Sequence, residues 1–188
     1  MMQPGAAYDP GRAMGEDRKI NIVQGEYQVS DDPRLVLTTL LGSCVAACIR
    51  DPDIGVGGMN HFLLPGGEDC HGVQYGVQAM ELLVNGLLKR GARRSRLEAK
   101  LFGGAHLFTG LTEVGAQNAA FAETFLKDEG IRLVGGSLRG DQGRRLQYWP
   151  VSGRARQIML ARSDAAVIAA EKTRKHTPAP DAGDMELF

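Results

Sequence analysis

Apolar and polar residues alternate with short periods over most of this chain, and with the period of a helix in two long stretches. In KINIVQGEYQVS (19–30), Ile20 and Ile22 alternate with polar neighbours and β-branched and aromatic residues follow. That is a strand pattern with a turn at Gly25-Glu26, ended by Asp31-Asp32-Pro33. RLVLTTLL (34–41) is a short apolar and β-branched run bounded by Pro33 and Gly42, and it reads as a buried strand. VAACIR (45–50) is a second such run, stopped by the turn Asp51-Pro52-Asp53. VGGMNHFLL (56–64) is a third, closed by Pro65-Gly66-Gly67. The three runs read as a meander with Cys44 and His61 near neighbouring strand ends.

After a loop, GGEDCHG, comes the clearest helix, YGVQAMELLVNGLLKRGA (75–92). Met80, Leu83, Val84, Leu87 and Leu88 share one face, Lys89 and Arg90 fall in the last turn, and Gly91 suits the position after it. RLEAKLFGGAHLF sets Leu97, Ala99 and Leu101 against Glu98 and Lys100, a half-buried strand ended by Gly103-Gly104. A second helix is expected from about Val114 to Glu129, with Thr112 as N-cap and Gly130 as its stop. IRLVGG reads as a short strand, and RRLQYWP with ARQIML as a hairpin around Val151-Ser152-Gly153. AAVIAAEK (165–172) reads as a short closing helix. A mostly antiparallel sheet core with two main helices makes the fold class α+β.

The flanks lack this patterning. Residues 1–18, rich in Gly, Pro and charge, read as a flexible leader, and 171–188 as a flexible polar tail. The tail's last residues, Asp184 to Phe188, end in apolar groups, an accident of a tail or a short docking peptide. A single domain is expected over 19–170. Composition narrows the function. Lys+Arg and Asp+Glu are both 22, so no basic excess points to nucleic acid. No apolar run approaches the ~18 residues that cross a bilayer, so the chain is not expected to be membrane-inserted. The N-terminal stretch has no apolar core of a secretory signal. Three cysteines (Cys44, Cys48 and Cys70) form no disulfide framework, so a reduced cytoplasmic setting is expected, where a thiol is available for chemistry.

Cys44 follows a Gly42-Ser43 bend and His61 follows a Gly-Gly pair. A thiol attacks carbonyl carbon as thiolate, an adjacent imidazole can take its proton, and a third group can fix the imidazole tautomer. The bend would expose the backbone N–H of Cys44 to a developing oxyanion, making Gly42 and Ser43 backbone candidates for that role. A cysteine in an apolar run is more often a small buried hydrophobe, and Cys48 reads that way. Cys44, Cys48, His61, Cys70 and His71 lack the closely spaced ligand pairs of a zinc site, so no metal and no cofactor is expected. His106 is a rival base and His176 a solvated tail residue. The glycines at 55–58 lack the Lys-Ser/Thr of a phosphate-binding loop.

TTLLGSCVAACIRDP, GVGGMNHFLLP, YGVQAMELLVNGLLKRGA and LEAKLFGGA together resemble the chemoreceptor glutamine deamidases, the CheD family, over roughly Lys19 to Leu160. The resemblance implies a cysteine hydrolase that converts glutamines of methyl-accepting chemotaxis receptors to glutamate and can hydrolyse receptor glutamate methyl esters. It implies a Thr-Cys-His triad, placed here at Thr38, Cys44 and His61, with Thr39 the alternative if the strand register differs by one residue. It implies layers of the α/β/β/α kind. It also implies a CheC-type chemotaxis phosphatase as a possible partner, and hence the alternative of a non-catalytic interaction protein. Two stretches depart from the family pattern. Gly115 to Asn118 lacks the usual basic residue before Asn118, and Ser137-Leu138-Arg139 stands where an acidic-Leu-Gly pattern is common.

Overall fold

The computed structural model describes residues 17–64, 70–106 and 112–161. In chain order the described elements are β1 (Arg18–Asn21), β2 (Tyr27–Ser30), β3 (Leu35–Leu41), β4 (Val45–Asp51), β5 (Val56–Asn60), α1 (Cys70–Lys89), a 3-10 turn (Arg94–Arg96), β6 (Glu98–Gly103), α2 (Thr112–Asp128), β7 (Arg132–Leu138), β8 (Arg144–Trp149) and β9 (Arg154–Met159). The strands form two sheets, one ordered β1-β3-β8-β9 and the other β2-β5-β4-β6-β7. Neighbours are antiparallel except β1 with β3 and β6 with β7. The fold is α+β with mostly antiparallel pairing, as the patterning implies.

Both helices pack on the outer face of the five-stranded sheet. Met80, Leu83, Val84 and Leu87 of α1 bury there with Ala122, Phe125 and Leu126 of α2, against Val45, Ala47 and Ile49 of β4. The opposite face of β4, carrying Ala46 and Cys48, packs with Leu35, Leu37 and Leu41 of β3 and with Leu146 and Tyr148 of β8. β4 is therefore covered on both sides, which is why its sequence is apolar without alternation. The described residues supply three layers, helices, sheet and sheet. The fourth layer that the family resemblance implies is not among them, and the expected closing helix at 165–172 lies outside the described residues. So do most of the expected leader and tail. No described helix is long and apolar enough to cross a membrane.

The expected meander is corrected. β3 does not pair with β4. The chain leaves β3, bends at Gly42-Ser43-Cys44 and enters β4 in the other sheet, just as it crosses between β1 and β2. An apolar strand such as β4 has to be covered on both faces. It sits centrally in its sheet, and β3 lies over it in the other. α1 also begins earlier than its apolar periodicity suggests, at Cys70, inside the stretch read as loop. The first turn, Cys70-His71-Gly72, carries no periodic apolar residue to announce it.

Candidate active site

The two crossings between sheets meet at one end of the sandwich. The register Cys48↔Met59 continues through the bridge Val45↔Phe62, closed by two backbone hydrogen bonds of 2.9 Å. Extended by one step, it sets Ala46 opposite His61. Cys44 points to the same face as Ala46, two residues along, so Cys44 and His61 are diagonal neighbours on the inner face of the β4–β5 pair. Both are buried, at 2% and 6% exposure.

The imidazole is oriented by β1 and β3. In the parallel pairing, Asn21 lies beside Thr38, so the next residues, Ile22 and Thr39, also meet. Thr39 Oγ1 donates to the Ile22 carbonyl at 2.8 Å. His61 Nδ1 lies 2.9 Å from Thr39 Oγ1 and 3.2 Å from the Ile22 carbonyl oxygen. A carbonyl oxygen can only accept, and the threonine proton is already directed to it. Nδ1 is therefore the nitrogen that carries a proton toward the two oxygens, and in the neutral form of the ring the lone pair is on Nε2. This is the tautomer a general base needs.

The threonine on His61 is Thr39, not Thr38. Leu35, Leu37, Thr39 and Leu41 share the inner face of β3, whereas Thr38 faces the other way, with its hydroxyl 3.4 Å from Asn21 Oδ1. The structure thus sets Thr39, the alternative to the expected Thr38, against His61; one residue along a strand is the step that reverses a side chain.

The bend before Cys44 is held carbonyl by carbonyl. Gly42 O accepts from the Ala105 N–H at 2.8 Å, Ser43 O from Asn118 Nδ2 at 2.9 Å, and Cys44 O from the Gly104 N–H at 2.7 Å. A trans peptide points its N–H opposite to the preceding carbonyl, so the N–H groups of Ser43 and Cys44 are directed away from that side. Gly103 has φ +112°, and a Cβ there would lie 2.0 Å from the Cys44 carbonyl oxygen, so only glycine fits beneath the bend. Asn118 is fully buried on α2, and its Oδ1 also accepts from the Leu64 N–H at 2.8 Å. One carboxamide thus ties the Cys44 bend to the segment that follows His61. By the residues around it Asn118 is simply a polar residue in an amphipathic helix; the family resemblance marks the position but not this role.

Two further polar groups stand at the site. Cys44 Sγ lies 3.9 Å from Gln24 Oε1. The phenol of Tyr75 is raised above its ordinary value, first by burial and then by nearby Cys44, whose thiolate form would oppose a phenolate. Cys48 lies in the core between the sheets, where burial pushes its thiol far above the ordinary range. His106, the rival base, donates its backbone N–H to Gly140 O at 2.7 Å, on the side of the Arg139 turn. No group of three or more potential metal ligands forms among the described residues. The side chains of Cys70 and His71 lie outside them.

Fold and site define an α+β protein with a cysteine and an oriented histidine buried where the chain twice crosses between two sheets. The chain belongs to the CheD family. The family model described as CheD chemotactic sensory transduction matches residues 63–158. A relative named "Probable chemoreceptor glutamine deamidase CheD" from Acidiphilium cryptum (strain JF-5) is 57% identical, covering 100% of both chains. One of the same name from Caulobacter sp. (strain K31) is 54% identical, again covering 100% of both. Among solved structures, Neisseria meningitidis protein NMB0706 aligns at 12% identity with a TM-score of 0.41, over 61% of this chain and 53% of that one, too distant to carry an argument.

Proposed function

We propose that this chain deamidates glutamine side chains of chemotaxis receptors, with Cys44 as nucleophile, His61 as base and Thr39 as the residue that orients His61. The observation that carries this reading is the double contact of His61 Nδ1 with Thr39 and Ile22, on the strand face that bears Cys44. It leaves Nε2 to take the Cys44 proton. The thiolate adds to the amide carbon and the oxygen charge develops within reach of the bend's N–H groups. His61 returns the proton to nitrogen, ammonia departs, and a thioester remains. Water activated by His61 hydrolyses it to glutamate and regenerates the thiol. A glutamate methyl ester would enter the same sequence with methanol as leaving group. Thr39 is neutral and donates its proton elsewhere, so it fixes the tautomer without the charge stabilisation of a carboxylate.

The test is peptide mass mapping of a candidate receptor incubated with and without the protein. The reading expects the mass gain of amide-to-acid conversion at discrete glutamines. No conversion on any receptor of the same cell would overturn it.

A further inference from the structure

The turn between β1 and β2 lays a glutamine of the protein itself against the proposed nucleophile. Within it, the Glu26 N–H donates to Val23 O at 3.0 Å and the Val23 N–H to Glu26 Oε2 at 3.1 Å. The turn is docked on the backbone of the histidine: the Gly25 N–H donates to His61 O at 2.7 Å and the His61 N–H to Glu26 O at 3.0 Å. Gly25 has φ +91°, and a Cβ there would lie 3.2 Å from the Tyr75 hydroxyl, so the turn is confined from that side too. Its backbone is thus fixed by that of His61. Gln24 itself is exposed to solvent, yet its carboxamide oxygen accepts from the Cys44 thiol at 3.9 Å.

A substrate amide carbon has to come within about 3–3.5 Å of the sulfur for attack. A carboxamide oxygen at 3.9 Å already stands in that approach. We propose that Gln24 is an internal stand-in for the substrate: its side chain fills the acceptor position beside Cys44, and an incoming glutamine has to displace it. This rests on the reading of Cys44 as a nucleophile for carboxamides. The contact is long and its donor is a weak one, so displacement requires little. The side chain can swing into solvent while the clamped turn stays in place. Apparent substrate affinity is reduced by the fraction of molecules in which Gln24 has moved aside. Gln24 itself escapes attack because its oxygen, not its carbon, faces the sulfur and its backbone cannot follow.

The experiment compares the full-length wild-type chain with Gln24→Ala and Gln24→Glu. The first readout is the rate at which iodoacetamide labels Cys44 at neutral pH, followed by peptide mass spectrometry with buried Cys48 as internal reference. Gln24→Ala is expected to label about fivefold faster, the population effect of losing one weak hydrogen bond. Gln24→Glu should label more slowly than wild type, with the pH midpoint of labelling moved upward, because a carboxylate beside the sulfur opposes thiolate formation. On a receptor glutamine peptide, Gln24→Ala should raise kcat/KM through a lower KM. Unchanged or slower labelling in Gln24→Ala overturns the proposal. So does faster labelling with a lower kcat/KM, which would make Gln24 a group that binds substrate. Conversion of Gln24 to glutamate in the wild-type chain also overturns it. Labelling does not depend on turnover, so a chain that deamidates nothing while Gln24→Ala labels faster would sink the enzymatic reading and leave the stand-in intact.

Discussion

The two ends of β4 are built from opposite chemistry. At its start, Cys44, His61, Thr39 and Asn118 are all buried, and the contacts that place them run to a hydroxyl, carboxamides and backbone carbonyls. At its end, Arg50 and Asp51 belong to an ionic cluster. Asp51 is fully buried and accepts from Arg96 at 2.7 Å and from the Arg93 N–H at 2.9 Å. Arg50 meets Glu98 of β6 at 2.7 Å and reaches Val151 O in the β8–β9 turn at 3.2 Å. The charged end ties the strand to the 3-10 turn, to β6 and to the other sheet's hairpin. The other end holds its side chains through hydroxyl, carboxamide and backbone groups, which suits the nucleophile and base proposed there. In the proposed reading one strand is anchored at one end and reactive at the other, and substitutions at the two ends should separate stability from activity.

The largest separation is expected from His61→Gln. It should lower kcat for receptor deamidation about 10³-fold, the range of a lost general base, with a thermal midpoint close to wild type. A comparable fall in the midpoint would show that His61 holds the fold rather than the chemistry.

Asp51→Asn should do the reverse. Breaking a buried ion pair by removing one partner costs about 3 kcal/mol, visible in denaturant unfolding, while kcat/KM of the folded fraction stays near wild type. The pH dependence follows from the carboxyls. Burial raises the Asp51 carboxyl, but the Arg93 N–H and Arg96 outweigh it, and the net shift is downward from 3.8. Glu98 is likewise lowered from 4.5, where Arg50 and Arg132 outweigh the effect of burial. A group held lower in the folded chain stabilises it above its unfolded value and loses that contribution as pH falls. The gap in unfolding free energy between wild type and Asp51→Asn should therefore narrow below about pH 4. A gap constant from pH 7 to pH 3 would contradict the ionic account.

The smallest contrast is the sharpest in sequence terms. Thr39→Val should lower kcat about tenfold, the rate equivalent of one hydrogen bond. Thr38→Val should change it less than about twofold, as expected of a side chain outside the site. Steady-state rates on one receptor substrate decide it, and equal effects would refute the register assigned to β3.

Much of the molecule was legible in the residues, and the gaps have physical causes. The strands declared themselves by short β-branched runs, and α1 by the face of Met80, Leu83, Val84 and Leu87. Cys44 and His61 stood out because glycines precede them. Which sheet each strand joins was not legible. The bend at Gly42-Ser43-Cys44 looks locally like any turn, and only the need to cover both faces of β4 sends the chain into the second sheet. The choice between Thr38 and Thr39 rested on one residue of register, set by the pairing of β3 with β1 and β8 far along the chain. Asn118 and Gln24 carry no local signal at all. One is a polar residue on a helix and the other a polar residue in a turn, and their roles exist only once distant backbone is brought beside them. The departure at Arg139 also gains a structural account. Its backbone is left-handed, φ 69°, a conformation glycine adopts freely, and here the side chain pairs with Glu123 at 2.7 Å.

The central claim is covalent chemistry at Cys44, and acid-quenched mass spectrometry tests it most directly. A receptor glutamine peptide is mixed with the wild-type chain and with Cys44→Ala, and the enzyme peptide containing residue 44 is weighed. The account predicts a transient adduct on wild-type Cys44, equal to the substrate peptide less ammonia, and no glutamate product from Cys44→Ala. Glutamate formed by Cys44→Ala at the wild-type rate, with no adduct on the wild-type chain, would contradict it.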